Sequence, residues 1–255
     1  MGRFFGKIFA THTYCYQVIE TEFKEGSVFH GYGHNRRGRQ ERPHGSGNGQ
    51  AFLNLGSRPV IAWSLLAFER CQDVDQIVLV VRKDQQTAAK ALVRMFGISK
   101  LHAIVAGGKE RQDSVMAGLK EIDADTRIVV VHDGARPCIR PETISEVVKV
   151  ARRANAAVVG HRIWDTVKHV EKGSQIDHTE DRTKLWAVQT PQAFAASLIR
   201  RAYAAVVAAK KTVTDDSAAV ELLGEPVKIF ESNAVNLKIT TAEDLQVAAG
   251  VLNIK

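Results

Sequence analysis

Cysteine is scarce in this chain: Cys15, Cys71 and Cys138 are an odd number with no C-x-x-C spacing. Neither a disulfide framework nor a structural zinc site is indicated, so a reducing cytoplasm is the expected compartment. No apolar run approaches the ~18 residues that would span a bilayer. The first residues lack a clean apolar core ending in a small-residue cleavage site, so a soluble chain with no membrane partner is expected. Three common catalytic signatures are also missing. Ser, His and Asp are present, but no G-x-S-x-G elbow or H-E-x-x-H helix arranges them for hydrolysis. No glycine-rich loop ends in G-K-[ST], which excludes a Walker-type phosphate loop. The nine histidines are scattered, and a lone one such as His102 or His161 reads as structural or exposed. There is no internal repeat and no low-complexity tract.

What is present is the material of an ordinary globular protein. With 255 residues, 45% hydrophobic and 25% charged, the chain can bury one sizeable α/β core or two small ones, and one domain with an appendage is expected. Its net charge is +7, which suits nucleic acid but equally suits an enzyme that grips several phosphates. The charge is spread out: residues 1–50 hold seven Lys/Arg against four Glu, and the remainder carries +4. Residues 1–50 show short apolar patches without a sustained period, then a polar, glycine-rich basic stretch, HNRRGRQERPHGSGNGQ, with no element signal. Taken alone this is a disordered basic arm. A nucleic-acid role for residues 34–42 would need aromatic platforms or a recognition helix beside the charge, and neither is evident.

From Ala51 strand and helix alternate, which predicts a doubly wound sheet. Helical spacing covers Pro59–Cys71, Asp84–Phe96, Pro141–Asn155, Ser197–Ala209 and Ala242–Val251. Thr214–Leu223 opens with strong capping residues. Apolar runs at Ile77–Val81, Ala103–Val105, Ile128–Val131, Ala156–Ile163 and Val227–Glu231 read as strands, with a short one at Asn236–Thr240. Asp165–Trp186 alternates polar and β-branched residues around Lys172-Gly173-Ser174, an exposed hairpin too polar to bury much of itself. It is expected to pack on something else, most simply a second copy.

Two stretches carry the chemistry. Ile128–Val131 runs straight into His132, Asp133, Gly134, Ala135, Arg136 and Pro137, putting both charge signs at the carboxyl end of a buried strand, where open α/β sheets bind ligands. In Gly107–Leu119, Gly107 and Gly108 let backbone approach a ligand, Arg111 supplies a planar donor fork, and Ser114 follows at a helix start. A plain turn before a capped helix would share that pattern. The candidate groups Arg111, Asp133, Arg136, Lys168, Arg182 and Lys238 are mostly cationic. Such a set suits transfer at phosphorus, where Lys, Arg and Mg²⁺ stabilise charge spread over phosphate oxygens.

The ordered motifs HDGARP (132–137), GGKERQDSV (107–115), DTVK (165–168), HTEDR (178–182), LWAVQTPQAF (185–194), TDDSAAVE (214–221) and NLKIT (236–240) resemble the 2-C-methyl-D-erythritol 4-phosphate cytidylyltransferases of the non-mevalonate isoprenoid route. The resemblance covers Ala51 to the C-terminus. It implies a Rossmann-like nucleotidyltransferase fold, α/β with a mostly parallel twisted sheet, as a single domain over 51–255. It also implies a protruding β-hairpin arm at about 164–187 that clasps a homodimer. The implied reaction is attack of a substrate phosphate on the α-phosphate of CTP, dependent on Mg²⁺ or another divalent cation, with release of pyrophosphate. By the same resemblance Gly107, Gly108, Arg111, Ser114, Asp133 and Gly134 bind the nucleotide. Asp133, Arg136, Arg182, Thr190 and Lys238 meet the acceptor, with Arg182 and Lys238 the catalytic pair. No metal ligand is assigned. The nearest rival is a ribitol 5-phosphate cytidylyltransferase, and HTEDR together with NLKIT favours methylerythritol phosphate.

The N-terminus departs from the family. Its members open with a strand and a glycine-rich loop close to IIVAAGxGxRMG, then a Lys just before the (Q/A)FLxL segment; here AFLNLG stands at 51–56 and Gln50 takes the Lys position. Reading the codons of His34–Gly45 one nucleotide later permits, with allowed synonyms, IIVAAGRSGRMG, and the same shift at Gln50 permits Lys. Residues 1–50 are therefore read as an aberrant segment from a shifted frame, restored near Ala51. Loss of the first strand would leave its neighbours with unpaired edges. A catalytically impaired chain is then expected.

Overall fold

The computed structural model describes residues 13–18 and 50–254. Its centre is a seven-stranded sheet in the order Lys228–Glu231, Ala156–Arg162, Trp186–Ala195, Ile128–Asp133, Thr13–Val18, Gln76–Val81, Leu101–Ala106. The strands and helices follow the chain as β1 (Thr13–Val18), β2 (Asn54–Leu55), β3 (Arg58–Pro59), α1 (Val60–Arg70), β4 (Gln76–Val81), α2 (Gln86–Met95), β5 (Leu101–Ala106), α3 (Arg111–Leu119) and β6 (Ile128–Asp133). Then come α4 (Pro141–Ala154), β7 (Ala156–Arg162), β8 (Lys168–His169), β9 (His178–Thr179), β10 (Trp186–Ala195), α5 (Ala196–Ala208), α6 (Asp216–Glu221), β11 (Lys228–Glu231) and α7 (Ala242–Val251).

Alternation along the buried strands sorts their side chains into two layers. Ile77, Leu79, Val81, Val130 and Val159 face α1, α2 and α4, whereas Val78, Val80, Val129, Val131 and Val158 face α3, α5 and α6. A strand covered on both faces must be apolar at every position, which is why these runs show no alternation in the sequence. Each wholly buried Val or Ile contributes about 1.5–3 kcal/mol. A third cluster, Leu55, Val60, Cys138, Ile239 and Ala248, seats α7 against the loop that follows β6. Local signals agree with these bounds. Pro141 opens α4 and Asn155 closes it with φ 66°, and Thr241 with Asp244 forms a capping box on α7.

Three expectations are corrected. The sheet is mixed, because β10 runs antiparallel to both β6 and β7 while β1, β4, β5 and β6 form a parallel block. The strand expected at Asn236–Thr240 is irregular chain; it makes one backbone bond to the β6 loop, Ile239 N–H to Ala135 O at 2.8 Å, and no ladder. Finally, the centre of the sheet is filled. Thr13–Val18 lies parallel to both β4 and β6, with Cys15 opposite Ile77 and Val130. The hexapeptide TYCYQV is rich in the Thr, Tyr and Val that suit a pleated surface, but Thr13 and Gln17 break the apolar run by which the neighbouring strands are legible. The rest of the 1–49 segment, including the shifted-frame reading, lies outside the described residues.

β8 and β9 form a separate two-stranded antiparallel pair. Among the described residues no helix is long and apolar enough to cross a membrane.

Candidate active site

A cleft of about 480 Å³ opens at the carboxyl end of β6. Arg111, Asp133, Arg136, Gln189, Thr190, Asp215 and Lys238 line it. The last residue of β6 is Asp133, and the turn after it is tightly held: Asp133 Oδ1 accepts from the Ala135 N–H at 3.0 Å, and Asp133 O from the Arg136 N–H at 3.0 Å. From α1, the Ser64 hydroxyl lies 3.3 Å from Gly134 O and 3.1 Å from Arg136 O. This leaves Asp133 Oδ2 facing Lys238 Nζ at 2.8 Å. The Lys238 side chain is 38% exposed, so the pair is worth no more than about 1 kcal/mol and a stronger anion can displace it.

Lys238 arrives by the irregular 236–240 strip, which side chains hold in place of a ladder. Asn236 Nδ2 donates to Thr190 O at 2.7 Å and Gln189 Oε1 at 3.1 Å, and Arg136 donates to Asn236 O at 2.7 Å. Burial lowers the Arg136 pKa from its ordinary value, against the opposing pull of Asp133.

Beneath the cleft His132 is wholly buried and stacks at a tilt on Phe68, with ring centroids 5.1 Å apart. Its Nε2 lies 3.4 Å from Arg136 O, which can only accept, so Nε2 carries the proton. Nδ1 then accepts from Thr190 Oγ1 at 3.2 Å, and Thr190 Oγ1 accepts from the Asp133 N–H at 3.0 Å. The imidazole thus ties β10 to both ends of the Asp133–Arg136 turn. Desolvation holds its pKa down at about 3, despite the opposing field of Asp133, so the ring is neutral and a positioning group.

The Gly107–Ser114 stretch meets the cleft through Glu110, Arg111 and Gln112. The Ser114 hydroxyl accepts from the Gly108 N–H at 3.2 Å, and Glu110 with Asp113 forms a capping box on α3. A Cβ on Gly108 would fall 2.1 Å from Asp113 Cβ, so that position closes only with glycine, and one on Gly107 would fall 2.7 Å from Ser114 Oγ and push the hydroxyl aside. Arg111 pairs with the wholly buried Asp216, whose other oxygen accepts from Tyr203 OH at 2.6 Å. Burial, then Asp216, pushes the Tyr203 pKa well above its ordinary value, so the phenol remains a donor. Asp215 caps α6 through the Ala218 N–H at 2.9 Å and accepts from Gln192 at 2.7 Å.

Of the sequence-derived candidates, the cleft gathers Arg111, Asp133, Arg136, Thr190 and Lys238. Gly107, Gly108, Ser114 and Gly134 do not line it: the first three close the turn that leads into α3, and Gly134 lies in the turn after Asp133. Arg182 and Lys168 stand elsewhere: Arg182 donates to Trp164 O on the hairpin, and Lys168 to Thr179 Oγ1 at 2.6 Å. His132, Tyr203, Gln192 and Asn236 had no role in the sequence reading, and Asp215 and Asp216 were legible only as capping residues. A polar residue ending an apolar strand was the available signal for His132.

The chain matches the model of the family described as 2-C-methyl-D-erythritol 4-phosphate cytidylyltransferase over residues 37–253. It is 43% identical over 207 residues to the enzyme of that name from Geobacillus kaustophilus, covering 81% of this chain and 90% of the relative. Among solved structures it resembles the 4-diphosphocytidyl-2C-methyl-D-erythritol synthase of Anaerococcus prevotii, with TM-score 0.77 and 28% identity over 95% of this chain and 96% of that one. The 2-C-methyl-D-erythritol 4-phosphate cytidylyltransferase of Thermus thermophilus superposes with TM-score 0.70 and 30% identity, covering 80% of this chain and 94% of the other.

Proposed function

The chain belongs to the 2-C-methyl-D-erythritol 4-phosphate cytidylyltransferase family, and on that premise we propose that it transfers CMP from CTP to this sugar-alcohol phosphate and releases pyrophosphate. The relatives named above act on methylerythritol phosphate, which favours that acceptor over ribitol 5-phosphate. The observation that carries the proposal is the convergence of Arg111, Arg136 and Lys238 on one cleft beside Asp133. An oxygen of the acceptor phosphate attacks the α-phosphorus of CTP, a P–O bond forms, and the bond to pyrophosphate breaks. No protein nucleophile is required; two polyanions must be held in line against their mutual repulsion. Lys238 exchanges Asp133 for the acceptor phosphate. Arg136 supports the same anion, and Arg111 with the Gly107–Ser114 turn receives the nucleotide.

Mg²⁺ fits this donor set, since it is commonly held by one or two carboxylates together with substrate phosphates, and Asp133 offers a carboxylate at the rim. When bound it would neutralise charge on the triphosphate. We place the reaction in the cytoplasm and assign 51–255, completed at the centre of its sheet by Thr13–Val18, to one nucleotidyltransferase domain. The hairpin at 164–187 exposes Trp164 (75%) and Ile176 (56%); these apolar groups and the lone two-residue ladder support its use as an arm that clasps a second copy and brings Arg182 to that copy's cleft.

The segment before residue 50 is read as a shifted-frame translation that weakens catalysis. Val18 lies opposite Asp133, so the strand in the central slot ends beside the cleft, where the family's own first strand would run into its glycine-rich loop and supply cations. The gene's nucleotide sequence tests this directly. Pyrophosphate release from CTP and methylerythritol phosphate, with and without Mg²⁺, tests the activity. Turnover should be metal-dependent and rise when 34–50 is replaced by the shifted-frame peptide. No release from either version would overturn the assignment.

A further inference from the structure

The hairpin between β7 and β10 carries a second cluster of chemistry that takes no part in the cleft. His169 and His178 oppose each other as one rung of the β8–β9 ladder, and Glu180, two residues beyond His178, falls on the same face by strand alternation. The two imidazoles stack, with centroids 4.7 Å apart and 13° between planes. Glu180 Oε1 lies 3.4 Å from His169 Nδ1 and 3.1 Å from His178 Nε2, and the three ligand atoms all lie within 4.8 Å of one another. The ladder's own ammonium, Lys168, sits on the other rung, held by Thr179 at 2.6 Å.

We propose that His169, His178 and Glu180 bind a divalent transition metal of the zinc class, with one position left for water or a further ligand. Around a tetrahedral ion with bonds of about 2.0–2.1 Å, neighbouring ligand atoms stand roughly 3.3 Å apart. The two carboxylate–imidazole separations of 3.4 and 3.1 Å already bracket that edge, and the stacked rings must turn for Nδ1 and Nε2 to converge on one ion. Two imidazoles and one carboxylate suit Zn²⁺, Co²⁺, Ni²⁺ or Cu²⁺, whereas Mg²⁺ prefers oxygen alone, so this site and Asp133 draw on different metals. The ladder is two residues long on each strand and weak by itself. An ion joining both strands would stiffen the segment that carries Arg182, two residues past Glu180. The inference rests on the hairpin's own geometry and not on the transfer reaction.

The test is a calorimetric titration of the full chain with ZnCl2 in excess Mg²⁺, followed by CoCl2 with visible absorption as the readout of tetrahedral geometry. His169→Ala, His178→Ala and Glu180→Gln should each weaken one saturable equivalent by more than tenfold, since loss of even an outer partner of a ligand costs roughly 10–100-fold. His161→Ala should retain it. Because both histidines are exposed, unfolding midpoints without metal should be unchanged in the three variants. Uptake equal in parent and variants, or no saturable uptake by the parent, would overturn the proposal and leave Glu180 as an ion-pair partner of the histidines.

Discussion

Lowering the pH should destabilise the fold through His132. The ring is wholly buried and its pKa is held at about 3, against 6.5 for an unperturbed histidine. A base whose folded pKa is depressed binds its proton more readily when the chain unfolds. Its contribution is therefore complete above about pH 7 and is lost as pH falls from 6.5 toward 3. In that window the slope approaches 1.4 kcal/mol per pH unit, so about 2 kcal/mol is gone by pH 5. At roughly 2–4 °C per kcal/mol, the unfolding midpoint drops by about 4–8 °C. Urea unfolding between pH 5 and 7.5, run beside His132→Gln, isolates the effect, because other histidines contribute to both curves and cancel in the difference. The variant is expected to be less stable at pH 7.5 and to lose about 2 kcal/mol less on acidification. Parallel curves, or a His132 resonance that titrates near pH 6.5, would refute the assignment of a neutral, desolvated ring.

Lys238→Gln should cut turnover by about a hundredfold or more while leaving the unfolding midpoint nearly unchanged, because one positioned cation is lost and the ion pair it leaves is partly exposed; pyrophosphate release and thermal unfolding check both halves. Asp216→Asn removes the buried charge that faces Arg111 and weakens the partner of Tyr203, so a loss of about 3 kcal/mol is expected in urea unfolding, with weaker CTP binding. Gly108→Ala drives a methyl into Asp113 and should abolish CTP binding in calorimetry while the circular dichroism of the sheet persists. If the hairpin serves a second copy, mixing Arg182→Ala with Lys238→Gln chains should restore about a quarter of parental turnover per dimer, since one cleft in a hybrid then has both groups; mixtures as inactive as their components would refute the shared site.

The buried strands and the charged turn after β6 were legible in the residues alone, because a strand covered on both faces must be apolar throughout and a break to Asp and Arg is then conspicuous. The glycine turn was legible as two possibilities, and only the closeness of Asp113 to Gly108 shows why glycine is needed there. The strip carrying Lys238 misled in its form: NLKIT alternates like a strand, yet Asn236 spends its amide on Gln189 and Thr190 and leaves no ladder. β1 was invisible, since TYCYQV has neither the unbroken apolar run of β4 and β6 nor a clean alternation, and it acquires its partners only from those two strands.

Sequence alone determined what short-range chemistry determines: the alternation of helix and strand, the capping residues, and which residue types could hold phosphate. Tertiary structure decided the reversal of β10, the filling of the central slot, and the meeting of Asp133 with Lys238 across 105 positions of chain. Pairing between distant segments depends on which backbone groups remain unsatisfied once everything else has packed, and no local pattern records that.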